Sequence, residues 1–233
     1  MQRRTLAAAL AAAPLYGCAV RAQAPDTMVM DDGSMPLTPA YLVTYTQGKP
    51  TAFVRADFFT SGLAVEVALD VGGFVKVNGV TLRRDPKETI SYIGDIPPAR
   101  SFTFECQRSP SLVTRHTFDL PPLEIVSKDP YYVPEGVFRV NVGPRDATPR
   151  GVIEDNTNMT IRGPRGETRF TSRDSPEVVD RTFVLRQISD LPAGNSYPAR
   201  IYRQQRVSLK DMSDSPSGWG ILSHGIEFML ANR

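Results

Sequence analysis

Cysteine, histidine and tryptophan are scarce in this chain of 233 residues, which contains two cysteines, two histidines and one tryptophan. So few thiols and imidazoles do not favour a zinc site, which usually takes three or four such ligands. The Walker, nucleophile-elbow and dinucleotide-binding glycine motifs are absent as well. The sequence therefore predicts no metal, no cofactor and no catalytic residue that can be named. Paired carboxylates stay open, because 25 acidic residues allow many combinations.

Both histidines, His116 and His224, lie in strand-like segments. His116 shares a predicted apolar face with Phe118 and Leu120, which is typical of a histidine at the edge of a core. His224 directly follows Ser223, and neighbouring residues on a strand point to opposite faces. These two side chains therefore cannot form the hydrogen bond that activates a serine nucleophile.

A basic excess is also lacking. The chain has 27 lysines and arginines against 25 aspartates and glutamates. Removal of residues 1–17 takes away Arg3 and Arg4 and no acid, which leaves 25 residues of each sign. Nucleic-acid-binding domains usually carry a basic excess, so the composition predicts no nucleic-acid partner.

The one long apolar run lies at the N-terminus, where the basic head MQRR is followed by TLAAALAAAPLYG. A transmembrane helix needs roughly 20 apolar residues, so this run is too short to span a bilayer. A basic head, a short apolar run and a polar exit are typical of a secretory signal peptide. Cleavage after Ala24 satisfies the small-residue rule with Ala22, but the bond to be cut then precedes Pro25, whose ring fixes φ and removes the amide N–H. Cleavage before Cys18 is the alternative, and these residues alone do not decide between the two cleavage sites.

Leu15, Tyr16, Gly17 and Cys18 resemble the lipobox of bacterial lipoprotein precursors. Leucine stands first, a small residue precedes the cysteine, and only Tyr16 departs from the usual pattern. The resemblance covers the first 18 residues and implies that Cys18 carries diacylglycerol and an acylated N-terminus, so that a membrane is one partner. Ala19 is not the aspartate that marks inner-membrane retention in that family, which implies the outer membrane.

Residues 18–39 have no periodicity and contain prolines, Gly33 and several acids. This composition predicts a flexible spacer between an anchor and a folded body. An ordinary disordered N-terminus has the same composition.

Helical periodicity is absent from the body, and period-two alternation takes its place. In SFTFECQRS, Phe102, Phe104 and Cys106 alternate with polar residues, which predicts that Cys106 is a buried core residue. Asn78-Gly79 lies between alternating apolar residues, which is a strong hairpin signal. The body is therefore predicted to be all-β.

Residues 120–123, Leu-Pro-Pro-Leu, interrupt this pattern because proline donates no ladder hydrogen bond. They predict a boundary between residues 40–121 and 122–233, each about the size of an immunoglobulin-like β-sandwich. The expected fold is thus two tandem sandwiches, although the Cys–Trp–Cys core of an antibody domain is missing.

One strand-like segment near the C-terminus favours ligand binding. In YPARIYRQQRVSLKD, Arg200, Tyr202, Gln204 and Arg206 fall on one face. Two arginines around a tyrosine could hold an anionic or sugar-like ligand by charge-assisted hydrogen bonds and stacking. A solvated outer face of a sandwich would show the same pattern.

Trp219, the only tryptophan, lies in a segment rich in aspartate, serine, proline and glycine that predicts a loop. Such a tryptophan is either a platform for a ligand or a plug at the end of a core.

These features predict a non-enzymatic protein of the cell envelope, exported and either lipid-anchored in the outer membrane or periplasmic. It would act as an interaction or ligand-binding module for a protein or glycan partner. The alternative is an exported polysaccharide hydrolase with two carboxylates on a β-sandwich scaffold.

Overall fold

The computed structural model describes the chain from Pro36 to Asn232 with gaps. Every regular element within the described ranges is a β-strand, which confirms the predicted all-β class. The predicted signal peptide, Cys18 and most of the predicted spacer lie outside the described residues. The described ranges are 36–60, 66–69, 72–87, 90–109, 112–125, 137–141, 151–172, 180–184, 191–192, 194–209 and 218–232.

These ranges contain fifteen strands. They are β1 (Leu37–Thr46), β2 (Ala52–Thr60), β3 (Phe74–Val77), β4 (Val80–Thr81), β5 (Arg83–Arg84), β6 (Tyr92–Ile96), β7 (Ser101–Ser109), β8 (Leu112–Asp119), β9 (Glu124–Ile125), β10 (Val137–Asn141), β11 (Val152–Gly163), β12 (Gly166–Ser172), β13 (Asp180–Val184), β14 (Asn195–Ser208) and β15 (Trp219–Asn232). Because β1 begins at Leu37, the end of the predicted spacer is part of a strand rather than flexible chain.

The strands form three sheets. The largest has eight strands in the order β12-β11-β14-β15-β1-β2-β6-β5, the second has the order β4-β3-β7-β8, and the third has the order β13-β10-β9. Nearly all neighbours are antiparallel. The exception is β1 with β15, which pair in parallel from Ala40 opposite Trp219 to Thr46 opposite Gly225.

The local signals in the sequence produced the expected strands. Phe102, Phe104 and Cys106 are all buried on one face of β7, as the alternation predicted. Asn78 and Gly79 have φ values of 50° and 84° and form the turn between β3 and β4. Asn78 also binds β7, because its Oδ1 accepts a hydrogen bond from the Thr103 amide at 2.8 Å.

A first hydrophobic core lies between the eight-stranded and the four-stranded sheets. Tyr41 of β1 packs on Phe104 of β7 and Phe118 of β8, with ring centroids 4.3 and 5.7 Å apart. Gly220 of β15 makes room for the Phe118 ring, since a Cβ at that position would lie 2.7 Å from it. The core includes His116, which is buried and lies within hydrogen-bonding distance of the Tyr41 hydroxyl, 3.1 Å from its Nδ1.

A second hydrophobic core lies on β11, β14 and β15, on the same side of the large sheet. Its buried members are Leu123, Met159, Ile161, Leu191, Tyr197, Ala199, Ile201 and Leu230. Ile125 of β9 packs against it. The two cores therefore share strands, since Val207 and Leu222 of β14 and β15 belong to the first core.

The strand pairing does not confirm two tandem immunoglobulin-like sandwiches. The eight-stranded sheet takes β1, β2, β5 and β6 from one side of the predicted boundary and β11, β12, β14 and β15 from the other. The proline segment does separate the two cores, because Leu120 packs on the first and Leu123 is buried in the second. The proline segment therefore separates two hydrophobic cores that lie on the same side of one continuous sheet.

A buried polar cluster occupies the junction of the two cores. Arg203 is 4% exposed, and its guanidinium forms a two-pronged ion pair with Asp155, with Nε 3.0 Å from Oδ1. Arg203 also donates to the Pro122 carbonyl, and Gln205 donates to Asp155, both at 3.1 Å. His224 lies 2.8 Å from the Pro121 carbonyl. This hydrogen bonding holds the proline segment against β14 and β15.

The Arg203–Asp155 pair predicts a large stability effect. Asp155→Ala should lower the free energy of unfolding by about 3–5 kcal/mol, because it removes the carboxylate that forms a two-pronged ion pair with the buried guanidinium of Arg203. Chemical denaturation of the purified protein measures this loss. As a matched control, Glu105→Ala removes the partner of the exposed Arg115 and should cost at most about 1 kcal/mol. Equal losses in the two variants would contradict the prediction.

The histidines predict how stability depends on pH. Burial lowers the pKa of His116 and of His224 from the usual 6.5, and the Arg203 charge lowers the pKa of His224 further while its hydrogen bond to Pro121 opposes this. The unfolded chain therefore binds protons first as pH falls through 6.5, so stability is complete above that value and declines below it.

The free energy of unfolding should therefore fall between about pH 7 and about pH 5.5. Urea denaturation at both pH values measures this fall. The double variant His116→Gln/His224→Gln, which keeps hydrogen-bonding groups at both positions, should show a flatter dependence. An unchanged slope in the double variant would show that other groups cause the decline.

Candidate functional site

The candidate site lies on the outer face of the large sheet, opposite the two cores. On β14 the residues at odd positions from Tyr197 to Val207 are buried, whereas those at even positions are partly or fully exposed. This confirms the predicted division of the strand. The buried odd face includes Arg203 and Gln205, whose polar side chains form the junction cluster. The even face carries Arg200, Tyr202 and Arg206.

A groove of about 690 Å³ crosses β11, β12, β14 and β15 on this face. Its wall combines three arginines, two glutamates and a tyrosine with smaller or apolar residues. The lining residues are Thr160, Arg162, Glu167, Arg169, Pro198, Arg200, Tyr202, Glu227, Phe228 and Met229.

Tyr202 lies between two guanidinium groups in this groove. The guanidinium carbon of Arg200 is 5.6 Å from the centre of the Tyr202 ring, and that of Arg169 is 6.0 Å from it. These are cation–π distances. Arg169 is positioned further by a 3.1 Å hydrogen bond to Oδ1 of Asn158. The two cations and the ring form a positively charged part of the groove wall.

Arg200 is held close to the sheet with part of its hydrogen-bonding capacity unused. Its Nη2 lies 3.5 Å from Oγ1 of Thr46, and its Nε is buried with no hydrogen-bond partner among the described residues. Gly225 of β15 makes this position available, because a Cβ there would lie 3.2 Å from Nε. A glycine on one strand thus positions the arginine of its neighbour.

A second groove of about 360 Å³ lies further along β14, lined by Glu154, Asn156, Gln204, Arg206, Trp219 and Ile221. Arg206 stacks on Trp219, with its guanidinium carbon 5.6 Å from the ring centre. Trp219 in turn stacks on Phe59 of β2 at 5.8 Å with an interplanar angle of 23°. This groove repeats the pairing of an arginine with an aromatic ring.

Trp219 is the first residue of β15, so the prediction that it lies in a loop is wrong. It pairs with Ala40 of β1 and Ser208 of β14. Among the described residues it belongs to neither hydrophobic core. It lines the second groove instead.

Acidic residues alternate with the arginines on this face. Glu227 pairs with Lys49 at 3.0 Å, and Glu167 lies 3.9 Å from Arg162. Glu154 accepts a 2.7 Å hydrogen bond from Asn156 in the second groove. Within the described part of the chain, no carboxylate lies within ion-pairing distance of Arg200 or Arg206.

Arg162, Arg169 and Gly225 were missed by the sequence analysis. A signal for the two arginines exists, because they flank the turn at Pro164-Arg165, and the β11–β12 register pairs Arg162 with Glu167 and Thr160 with Arg169. Alternation on both sides of that turn places these residues on one face. For Gly225 no local signal exists, since its neighbour Arg200 comes from another strand.

The remaining chemical groups lie away from the two grooves. Cys106 and His116 are buried in the first core. His224 points to the junction cluster, and its neighbour Ser223 is on the opposite face of β15. No group of three or more histidine, cysteine, aspartate or glutamate side chains that could hold a metal occurs in the described ranges.

No helix in the described part of the chain is long and apolar enough to cross a membrane. No protein-family model matches the sequence, and no curated protein is significantly similar to it.

Proposed function

We propose that this protein is a non-enzymatic module of the bacterial cell envelope that binds an anionic or sugar-like ligand on the outer face of its large sheet. The observation that carries the proposal is Arg200, which lines the larger groove, stacks on Tyr202 and has no carboxylate within ion-pairing distance in the described ranges. A carboxylate or a phosphate in the groove would accept charge-assisted hydrogen bonds from its guanidinium.

The charge arrangement on β14 supports binding over simple solvation. Arg203, on the inner face, is neutralised by Asp155. Arg200 and Arg206, on the outer face, have no such carboxylate in the described ranges. Stacking on aromatic rings fixes both side chains, which reduces the entropy lost when a ligand binds.

The alternative hydrolase would need a protonated carboxylic acid, which usually depends on burial of that acid. Glu167 and Glu227, the two acids in the larger groove, are 52% and 48% exposed, and each has a basic partner. Their setting therefore supports a binding role for the groove.

The location in the envelope rests on the N-terminal sequence. The apolar run up to Gly17 and the motif ending in Cys18 support export and lipidation, with the outer membrane as destination. Several acyl chains on Cys18 would hold the protein at a membrane, since each buried methylene contributes about 0.8 kcal/mol.

Binding is tested with trigalacturonate, a short acidic sugar, and a neutral glucose trisaccharide as control. Arg200→Glu should weaken trigalacturonate binding at least about tenfold, since charged hydrogen bonds contribute about 1.5–3 kcal/mol each. Gly225→Ala, which crowds the Arg200 guanidinium without changing charge, should also weaken it. Isothermal titration of the full chain in detergent measures both.

The control variant is Arg115→Glu, which reverses an exposed arginine on the four-stranded sheet and should leave binding unchanged. The melting temperature of Arg200→Glu is measured beside its affinity, because Arg200 is only partly exposed and only a folded variant assigns the loss to binding. Equal affinities of the native protein and Arg200→Glu would overturn the proposed site. Hydrolysis of the sugar that depends on Glu167 or Glu227 would support the hydrolase instead.

Lipidation is tested by Cys18→Ala in a bacterial host. The native protein should partition into detergent and exceed the mass of the bare chain from Cys18 by its acyl groups, whereas the variant should partition into water. A native protein that begins at Pro25 and stays in the aqueous phase would show that the Leu15–Cys18 segment is only the end of a signal peptide.

A further inference from the structure

The two grooves lie next to each other along the outer face of β14, and the surface from Arg200 to Arg206 is called the track. Arg200 and Tyr202 line the larger groove, and Gln204 and Arg206 line the smaller one, so consecutive outward positions of one strand connect them. With a rise of about 3.3 Å per residue, Arg200 and Arg206 are separated by about 20 Å. Each end of the track presents an arginine stacked on an aromatic ring at 5.6 Å.

The track offers three kinds of contact at each end. The arginines attract anions, the aromatic rings provide flat apolar faces, and the carboxylates accept hydrogen bonds from hydroxyl groups. Glu167 and Glu227 supply the carboxylates in the larger groove and Glu154 supplies one in the smaller groove. A sugar that carries a carboxylate complements all three, because it has an anion, hydroxyl donors and an apolar ring face.

The same carboxylates disfavour a nucleic acid. Single-strand-binding grooves combine aromatic rings with a continuous positive charge that follows the phosphates. Here three glutamates alternate with the arginines along the track, so the positive charge is not continuous, and the carboxylates instead suit the hydroxyl donors of a sugar. The chain from Cys18 onward, with equal numbers of basic and acidic residues, also lacks the usual basic excess.

We propose that the track binds one linear acidic polysaccharide along β14, with a subsite at Arg200–Tyr202 and a second at Arg206–Trp219. This inference rests on the proposed ligand-binding function and adds the class and length of the ligand. Binding at one subsite places the next part of the same chain near the other, so the second contact is intramolecular. Affinity therefore depends on whether the ligand reaches both subsites.

The experiment compares galacturonate oligomers from a disaccharide, which is shorter than the track, to a dodecasaccharide, which exceeds it. The full-length protein in detergent should bind the dodecasaccharide at least about a hundredfold more tightly than the disaccharide, as expected for two linked contacts. Arg200→Glu and Arg206→Glu should each remove most of this gain, and the double variant should bind no better than the weaker single variant. Arg115→Glu is again the control, and neutral glucose oligomers of the same lengths should bind weakly at every length.

Each contrary outcome has a distinct meaning. Affinity that is independent of length, together with a loss of disaccharide binding in Arg200→Glu, would overturn the extended track and leave the proposed function standing. Failure of every galacturonate oligomer to bind would overturn both. Tighter binding of a single-stranded oligothymidylate than of the dodecasaccharide would assign the track to nucleic acid and overturn the inference.

Discussion

The buried ion pair of Arg203 and Asp155 connects the parts of the fold. Two hydrophobic cores lie on one side of a continuous sheet, and β14 and β15 run beneath both. Where the cores meet, side chains of β14 and β15 contact the carbonyls of the proline segment. Arg203 donates to the Pro122 carbonyl and His224 lies beside the Pro121 carbonyl, while Asp155 neutralises the arginine. An apolar side chain at position 203 would remove the hydrogen bond to Pro122 and the two-pronged ion pair with Asp155.

The features of this fold that could be predicted from the sequence are those that depend on local patterns of neighbouring residues. Alternation predicted the strands, the burial of Cys106 and the division of β14 into two faces, because period two depends only on neighbouring residues. The turn at Asn78-Gly79 was predicted for the same reason, since both positions need a positive φ. Arg203 and Gln205 are polar residues on the inner face, and their role depends on Asp155 and Pro122, which no local pattern brings together.

The pairing between distant strands could not be predicted in this way. β1 and β15 pair in parallel although most of the chain separates them, and this pairing carries the large sheet across the proline segment. A proline segment between two lengths of domain size usually indicates a boundary between domains. Here the segment lies between the two cores, while the large sheet combines strands from both sides of it. The candidate site also depends on pairing between distant strands. Arg169 of β12 reaches Tyr202 because β12 pairs with β11 and β11 pairs with β14. Gly225 reaches Arg200 because β15 pairs with β14.

The arginines of β14 show how position on a sheet assigns different roles to identical side chains. Arg203 is 4% exposed, and a charge so deeply buried requires a fixed carboxylate. Arg200 and Arg206 lie on the opposite face, where aromatic rings stack against them and no described carboxylate pairs with them. A stacked guanidinium keeps its charge while losing conformational freedom, so it is ready to bind an anion. Because Arg200 and Arg206 lie on one strand, its backbone sets their spacing at about 20 Å, and the repeating ligand proposed above would require such a fixed spacing.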